Sequence, residues 1–255
     1  MELVLEFAAF WVVIYLIGAT IMFVVCLGLI QINQRHPERK IQKRPQTHDA
    51  KEDILSSLKQ IAVTAFCLSV GLFSQWKGWT IAPVDLSWWS FPLFFIVSLV
   101  LHDAWFYFGH RLLHTKALYR LHKPHHITVT PSVWSYDAGS TVDTLFAHSY
   151  YALVLFVIPM PALAFIAHRL FDQISAIIGH SGYEYFAGPT SCKPFPGICT
   201  TYHDQHHSEF VYNYANYFSW WDRIFSTIHP HYDHIIKGSE DTGARPHMPK
   251  AKEQI

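Results

Sequence analysis

Residues 3–30, LVLEFAAFWVVIYLIGATIMFVVCLGLI, form an apolar run of 28 residues broken by one charge, Glu6. This exceeds the ~20 residues an α-helix needs to cross a bilayer. Hydrocarbon offers the backbone no hydrogen-bond partners, so such a run must satisfy its own N–H and C=O groups as a helix. It does not read as a cleaved leader: it is too long, no basic stretch precedes it, and basic residues follow where small cleavage-site residues would stand. Residues 54–75 and 88–108 are predicted as two further spans. Residues 145–179 are apolar but broken at Pro159 and Pro161. They predict a helical hairpin of two halves that enters and returns on one side, with full crossing left open.

Charge sets the orientation of these spans. The loop 31–53 carries Arg35, Arg39, Lys40, Lys43, Arg44 and Lys51, and Pro37 and Pro45 argue against one continuous helix through it. The segment after the third span carries Arg111, Lys116, Arg120 and Lys123. Positive charge stays on the cytoplasmic side, so both loops predict a cytoplasmic face and an outside N-terminus. The link 76–87, flanked by Trp76, Trp79, Trp88 and Trp89, suits the outer interface.

Only 15% of residues are charged, against ~25% in soluble domains. Formal net charge is zero, so no nucleic-acid partner is expected. Cys26, Cys67, Cys192 and Cys199 form no C-x-x-C pair and are expected to be free thiols. The 255 residues read as a single membrane domain with a disordered tail over 237–255.

Chemistry concentrates where the third span ends. His110 and His114 are four residues apart; His122, His125 and His126 follow; His203, His206 and His207 repeat the H-x-x-H-H spacing; His180 lies between. On a helix, positions i, i+3 and i+4 share a face, so each cluster is expected to aim its imidazoles one way. Neutral imidazole ligates iron, zinc and copper. Nine exceed the roughly four donors of a tetrahedral ion and predict two ions. Packing alone does not account for two H-x-x-H-H groups and an H-x-x-x-H, because crowded rings need many partners. His36, His48, His148 and His168 are expected to be ordinary hydrogen-bonded histidines, as are His229, His231, His234 and His247 in the polar tail. All-imidazole sites leave the metal charge uncompensated, so nearby carboxylates are candidates to accept the second ring N–H. Asp103, Asp204 and Asp222 are the candidate catalytic carboxylates, Asp103 foremost because an acid at the end of a span is costly; Asp222 could instead pair with Arg223. The expected fold class is an all-α integral membrane protein: a helical transmembrane bundle with a cytosolic histidine-rich di-metal cap.

The stretches WFYFGHRLLH, LYRLHKPHH, GHSGYEY, HDQHH and NYANYFSWWDRIFST cover most of residues 102–227. Their ordered set resembles the fatty acid hydroxylase/sterol desaturase superfamily of membrane oxygenases, and within it the sterol C4-methyl oxidases and the cholesterol 25-hydroxylase type. The resemblance implies a di-iron centre with O2 as co-substrate. Its ligands would be His110, His114, His122, His125, His126, His180, His203, His206 and His207. It implies hydroxylation of an unactivated C–H bond of a sterol or fatty-acyl lipid drawn from the bilayer, or desaturation as the alternative. The chain departs from the C4-methyl oxidases at His102, where they have an acid, at Phe106, where they have histidine, and in YDAGSTVDT, which replaces their acidic and His-Pro pattern. His102 is either a tenth ligand or a helix-face histidine at the membrane border. With no HPGG and no glycine-rich dinucleotide motif, electrons are expected from a separate protein of cytochrome b5, ferredoxin or reductase type. The implied location is the endoplasmic reticulum in a eukaryote or the inner membrane in a bacterium, with the active site on the cytoplasmic side. Two other classes make different demands: a membrane zinc hydrolase requires an H-E-x-x-H type motif, which is absent, and a metal transporter requires histidines along the spans.

Overall fold

The computed structural model describes residues 1–46 and 48–242. Among these residues the regular elements are helical, and the only β pairings are isolated bridges, Lys40 with Tyr183 and Gly197 with Phe218. Helix α1 is Glu2–Arg35, α2 Ala50–Trp76, α3 Ser90–Leu113, α4 Tyr119–His126 and α5 Thr141–Leu153. Then come α6 Ala162–Gly179, α7 Thr200–Glu209, α8 Trp220–Ile224 and α9 Tyr232–Thr242. Helices α1, α2, α3 and α6 are long and apolar enough to cross a membrane. Helices α1 and α2 cover the expected spans and overrun them by up to five residues, while α3 starts two residues after the expected start at 88 and runs five past the expected end at 108.

Burial separates their roles. Only 11% of the most apolar window of α1 is buried, against 50% for α2. Helix α1 therefore offers its side chains to lipid, while α2 is the bundle's centre and carries polar residues inward. Gln60 of α2 donates to the Gly139 carbonyl at 3.0 Å and accepts from Thr144 at 3.1 Å. Ser57 donates to the Trp134 carbonyl at 2.7 Å. In a bilayer such bonds draw segments together, because the alternative is an unsatisfied polar group in hydrocarbon.

Close approach of α2 and α5 depends on Gly71. A Cβ added there would sit 2.3 Å from the Tyr151 carbonyl oxygen, which is backbone and cannot swing aside. Gly71→Ala is expected to push the two helices apart and to cost about 1–3 kcal/mol, read as a lower unfolding temperature of the detergent-solubilised protein.

The expected hairpin is α5, a 3-10 turn Val154–Phe156, and α6. Its apex meets the end of the bundle away from the histidines: Val84 donates to the Pro159 carbonyl at 2.9 Å, and Gln75 near the end of α2 donates to the Met160 carbonyl at 2.9 Å. The hairpin thus reaches the same level as the end of α2. A core of Leu68, Leu72, Tyr151, Leu155 and Phe165 holds it there. Helices α1, α3 and α6 run toward the histidine end, and α2 and α5 run back.

The basic loop after α1 folds over that end. Ile41 donates to the Gly182 carbonyl at 3.0 Å, and Gln42 and Arg44 reach Asp204 of α7 at 2.9 and 2.7 Å. Both basic segments therefore lie at one end of the bundle. All four cysteines are buried and form no disulfide among the described residues. The tail expected to be disordered from Lys237 is helical to Thr242, where α9 docks Tyr232 and Ile236 into a buried cluster with Tyr107 and Tyr202; residues 243–255 lie outside the described residues.

Candidate metal centre

Helix α3 carries His110 past the apolar span and leaves His114 at its C-cap. Helix α4 supplies His122, His125 and His126, α6 ends on His180, and α7 supplies His203, His206 and His207. These nine rings gather into two groups. One holds His110, His114, His122, His126 and His206; the other holds His125, His180, His203 and His207. Within each group one nitrogen per residue lies within 4.8 Å of every other.

The expectation that each H-x-x-H-H trio aims one way is overturned. His122 and His126 face the first group while His125 faces the second, and α7 splits in the opposite sense, with His206 in the first and His203 and His207 in the second. Consecutive helical residues point about 100° apart, so an adjacent His-His pair cannot share a target. The doubled motif is a device for placing two sites side by side. The rings of His126 and His207, one from each group, have centroids 4.9 Å apart.

The outer ring nitrogens show which atoms remain free inside. His110 Nδ1 donates to the Tyr214 carbonyl at 2.8 Å, His125 to Ala138 at 2.9 Å and His180 to Ala176 at 2.8 Å. His206 donates to Tyr212 at 2.7 Å and His207 to Thr128 at 3.1 Å. A carbonyl only accepts, so these Nδ1 atoms carry the proton and each Nε2 presents a lone pair. Those Nε2 atoms crowd together. His110 lies 3.0 Å from His122, His126 lies 3.2 Å from His206, and His203 lies 3.0 Å from His180 and 3.1 Å from His207. Burial, then the neighbouring imidazoles, push His114 and His203 down to about 3, so both are neutral at pH 7. Buried lone pairs converging on one another repel unless a cation sits among them. The donor set, all imidazole nitrogen in groups of five and four, fits two first-row transition ions and not magnesium or calcium, which take oxygen.

The three candidate carboxylates are placed elsewhere. Asp103 Oδ1 accepts the backbone N–H groups of Asn216 at 3.0 Å, Tyr217 at 2.7 Å and Phe218 at 3.4 Å, and Oδ2 accepts from the Trp220 indole at 3.2 Å. Asp222 accepts from the backbone N–H groups of Tyr214 and Ala215, both at 2.9 Å, from Thr227 at 2.7 Å and from the Tyr202 hydroxyl. Five successive N–H groups of the loop 214–218 thus end on two buried carboxylates. Asp222 does not pair with Arg223, which makes a two-toothed bridge to Asp233 at 2.7 Å. Asp204 is held by Gln42 and Arg44. These acids fasten the backbone that positions the imidazoles: the Tyr214 residue whose N–H ends on Asp222 gives its carbonyl to His110. Asp103 and Asp222 make no ring contact because the loop's own buried N–H groups claim their oxygens, and Asp204 is claimed by Gln42 and Arg44.

Two further acids, passed over by the spacing arguments, sit beside the centre's helices, and one of them reaches a ring. Asp143 Oδ2 is 2.9 Å from His122 Nδ1, out of line for a hydrogen bond. Glu184 accepts from Thr201 N–H at 2.8 Å and its hydroxyl at 2.6 Å, giving the N-terminus of α7 a negative partner. Neither has a periodicity that marks it. His102 belongs to neither group; its Nδ1 meets the Tyr217 hydroxyl at 3.0 Å. His168, fully buried, bonds Ser98 at 2.7 Å and Tyr217 at 3.2 Å.

A cavity of about 340 Å³ lies against both groups, lined by His110 and His122 of the first and His125, His180 and His203 of the second. Its walls include Phe106, Ala147, Phe171, Ile174, Ile178 and Ile198.

Fold and site together define an all-α membrane protein whose bundle ends in a paired, all-histidine centre. The chain belongs to the fatty acid hydroxylase family, whose model matches residues 95–227. It is 39% identical over 132 residues to methylsterol monooxygenase 1 of Gallus gallus, covering 50% of this chain and 43% of that one. It is 32% identical over 164 residues to lathosterol oxidase of Homo sapiens, covering 62% and 54%, and 28% identical over 224 residues to that of Rattus norvegicus, covering 84% and 73%. The match thus spans about half the length of the first of these relatives. No solved structure matches the chain.

Proposed function

We propose that this protein is a membrane-bound, O2-dependent lipid oxygenase that hydroxylates an unactivated C–H bond of a sterol or fatty-acyl lipid. The observation that carries the reading is the contact between a mainly apolar cavity and both histidine groups. The similarity to methylsterol monooxygenase and lathosterol oxidase supports a sterol-like substrate. Two iron ions would be held by His110, His114, His122, His126 and His206, and by His125, His180, His203 and His207. Bound iron supplies the reductive activation of O2 that breaking a C–H bond requires.

The chain's own contribution is orientation and exclusion of water. Carbonyls of Tyr214, Ala138, Ala176, Tyr212 and Thr128 hold the tautomer of five rings. Phe106 and Ala147 line the cavity with apolar surface on the side of His110. The nine clustered histidines lie at one end of the bundle, and His102 and His168 within the spans join neither group, which favours an enzyme over a transport path along the spans. The two basic segments at that end support a cytoplasmic centre, facing a separate electron donor of cytochrome b5, ferredoxin or reductase type. The membrane would be the endoplasmic reticulum in a eukaryote and the inner membrane in a bacterium.

Lipid mass spectrometry of a host with and without the gene tests this. A lipid gaining one oxygen is the expected result, loss of two hydrogens would make the enzyme a desaturase, and an unchanged lipidome would end the oxygenase reading. Purified protein given NAD(P)H alone is expected to be inactive until the donor is added.

A further inference from the structure

The two halves of the centre differ in what stands behind their rings. Five of the nine imidazoles end on neutral backbone carbonyls, three of them in the four-ring half. His122, in the five-ring half, ends on a charge. Its Nε2 lies 3.0 Å from that of His110 and 2.9 Å from that of His126, inside the group. Nδ1 is therefore the atom left to carry the proton. It is buried, has no hydrogen-bond partner, and faces Asp143 Oδ2 at 2.9 Å. Among the described residues no other carboxylate forms an ion-pair contact with any of the nine rings. A charge acts by distance and needs no alignment.

Three elements fix that carboxylate. Asp143 stands in the first turn of α5, and its N–H donates to Ser140 Oγ at 3.1 Å. The Ser140 hydroxyl donates in turn to the carbonyl of Leu121, the residue before His122 on α4. Gly139 is held by α2: its carbonyl accepts from Gln60 at 3.0 Å and its N–H donates to Ser56 at 3.3 Å. A Cβ at Gly139 would lie 3.2 Å from Asp143 Oδ2, so the missing side chain leaves the carboxylate its room. An acid in a helix's first turn is common, because it meets the positive end of the helix. That accounts for an acid at 143. It does not account for a carboxylate set against a buried ring nitrogen, in a space that a glycine keeps clear.

A carboxylate behind a ligand ring makes the ring more basic and brings negative charge toward the ion. A more basic donor set favours the higher charge of a bound transition ion. The five-ring half has this acid and one more imidazole; the four-ring half has neither. We propose, building on the two-ion reading, that Asp143 is a positioning residue that makes the halves unequal. Acting through His122, it tightens the ion of the five-ring half and biases it toward the oxidised state. The four-ring half then holds the more labile and more easily reduced ion.

The test uses the full chain, iron-loaded, in nanodiscs. Iron retained per chain is followed against rising chelator, and Mössbauer spectra are followed through a redox titration. The unaltered protein is expected to release its iron in two steps. In Asp143→Asn, which keeps shape and removes charge, one step is expected to move to about 10- to 100-fold less chelator while the other stays. One of the two iron signals is expected to be reduced at a more positive potential. The half is identified by combination: with His203→Ala the remaining ion should respond to Asp143→Asn, and with His206→Ala it should not. Should the asparagine variant fail to insert, Gly139→Ala, which crowds the carboxylate, decides in its place, and the same ion is expected to loosen. Two ions that respond alike, or a lowered unfolding temperature with both steps and both potentials unmoved, would overturn the assignment and leave Asp143 a helix-end acid. A protein that holds no transition ion would overturn the two-ion reading itself.

Discussion

Replacing His206 or His203 by alanine is expected to remove one metal ion each, from different halves of the centre. His206 is one of five nitrogens in the first group, its Nε2 3.2 Å from that of His126. His203 lies between His180 and His207, at 3.0 and 3.1 Å, in the group of four. Loss of a partner that merely orients a ligand commonly costs 10- to 100-fold in affinity or activity, so loss of a ligand should cost at least ~100-fold. Metal analysis of the purified membrane protein is expected to fall from two ions per chain to one in either variant, with lipid oxidation abolished and insertion intact. His102→Phe, which alters a ring belonging to neither group, is expected to keep both ions. Two ions retained in the His203 variant would remove that residue from the ligand set.

Asp222→Ala should be the most destabilising change outside the histidines. The side chain is 0% exposed and accepts from two backbone N–H groups and two hydroxyls. Each buried donor left without an acceptor costs about 1–3 kcal/mol, and the group acts as a unit, so a loss of about 3–5 kcal/mol is expected. Asp222→Asn keeps one acceptor oxygen and should lose roughly half of that. Because Tyr214 joins Asp222 to His110, metal content should fall along with the unfolding temperature in the alanine variant. Unfolding unchanged beside lowered metal would mean that Asp222 acts on the ring alone.

These predictions divide between what was legible in the chain and what was not. Apolar runs longer than a bilayer is thick announce α1, α2 and α3, because the backbone has no other way to satisfy itself in lipid. The proline break at 159–161 announces the hairpin. Their depth of crossing was not legible, since it rests on Gln75 and Val84 meeting the apex from distant parts of the chain. Asp103 was recognisable as a costly acid, yet its partners are N–H groups 113 to 117 residues later.

The nine histidines and the end of the bundle that carries them were determined by the sequence alone, because ligand spacing and bilayer-spanning length are local properties of a helix. Tertiary structure alone decided how those histidines divide into five and four, and which carboxylates hold loops instead of rings. The physical reason is that adjacent helical residues diverge by about 100°, and only the packing of α3, α4, α6 and α7 around one another determines where each direction leads.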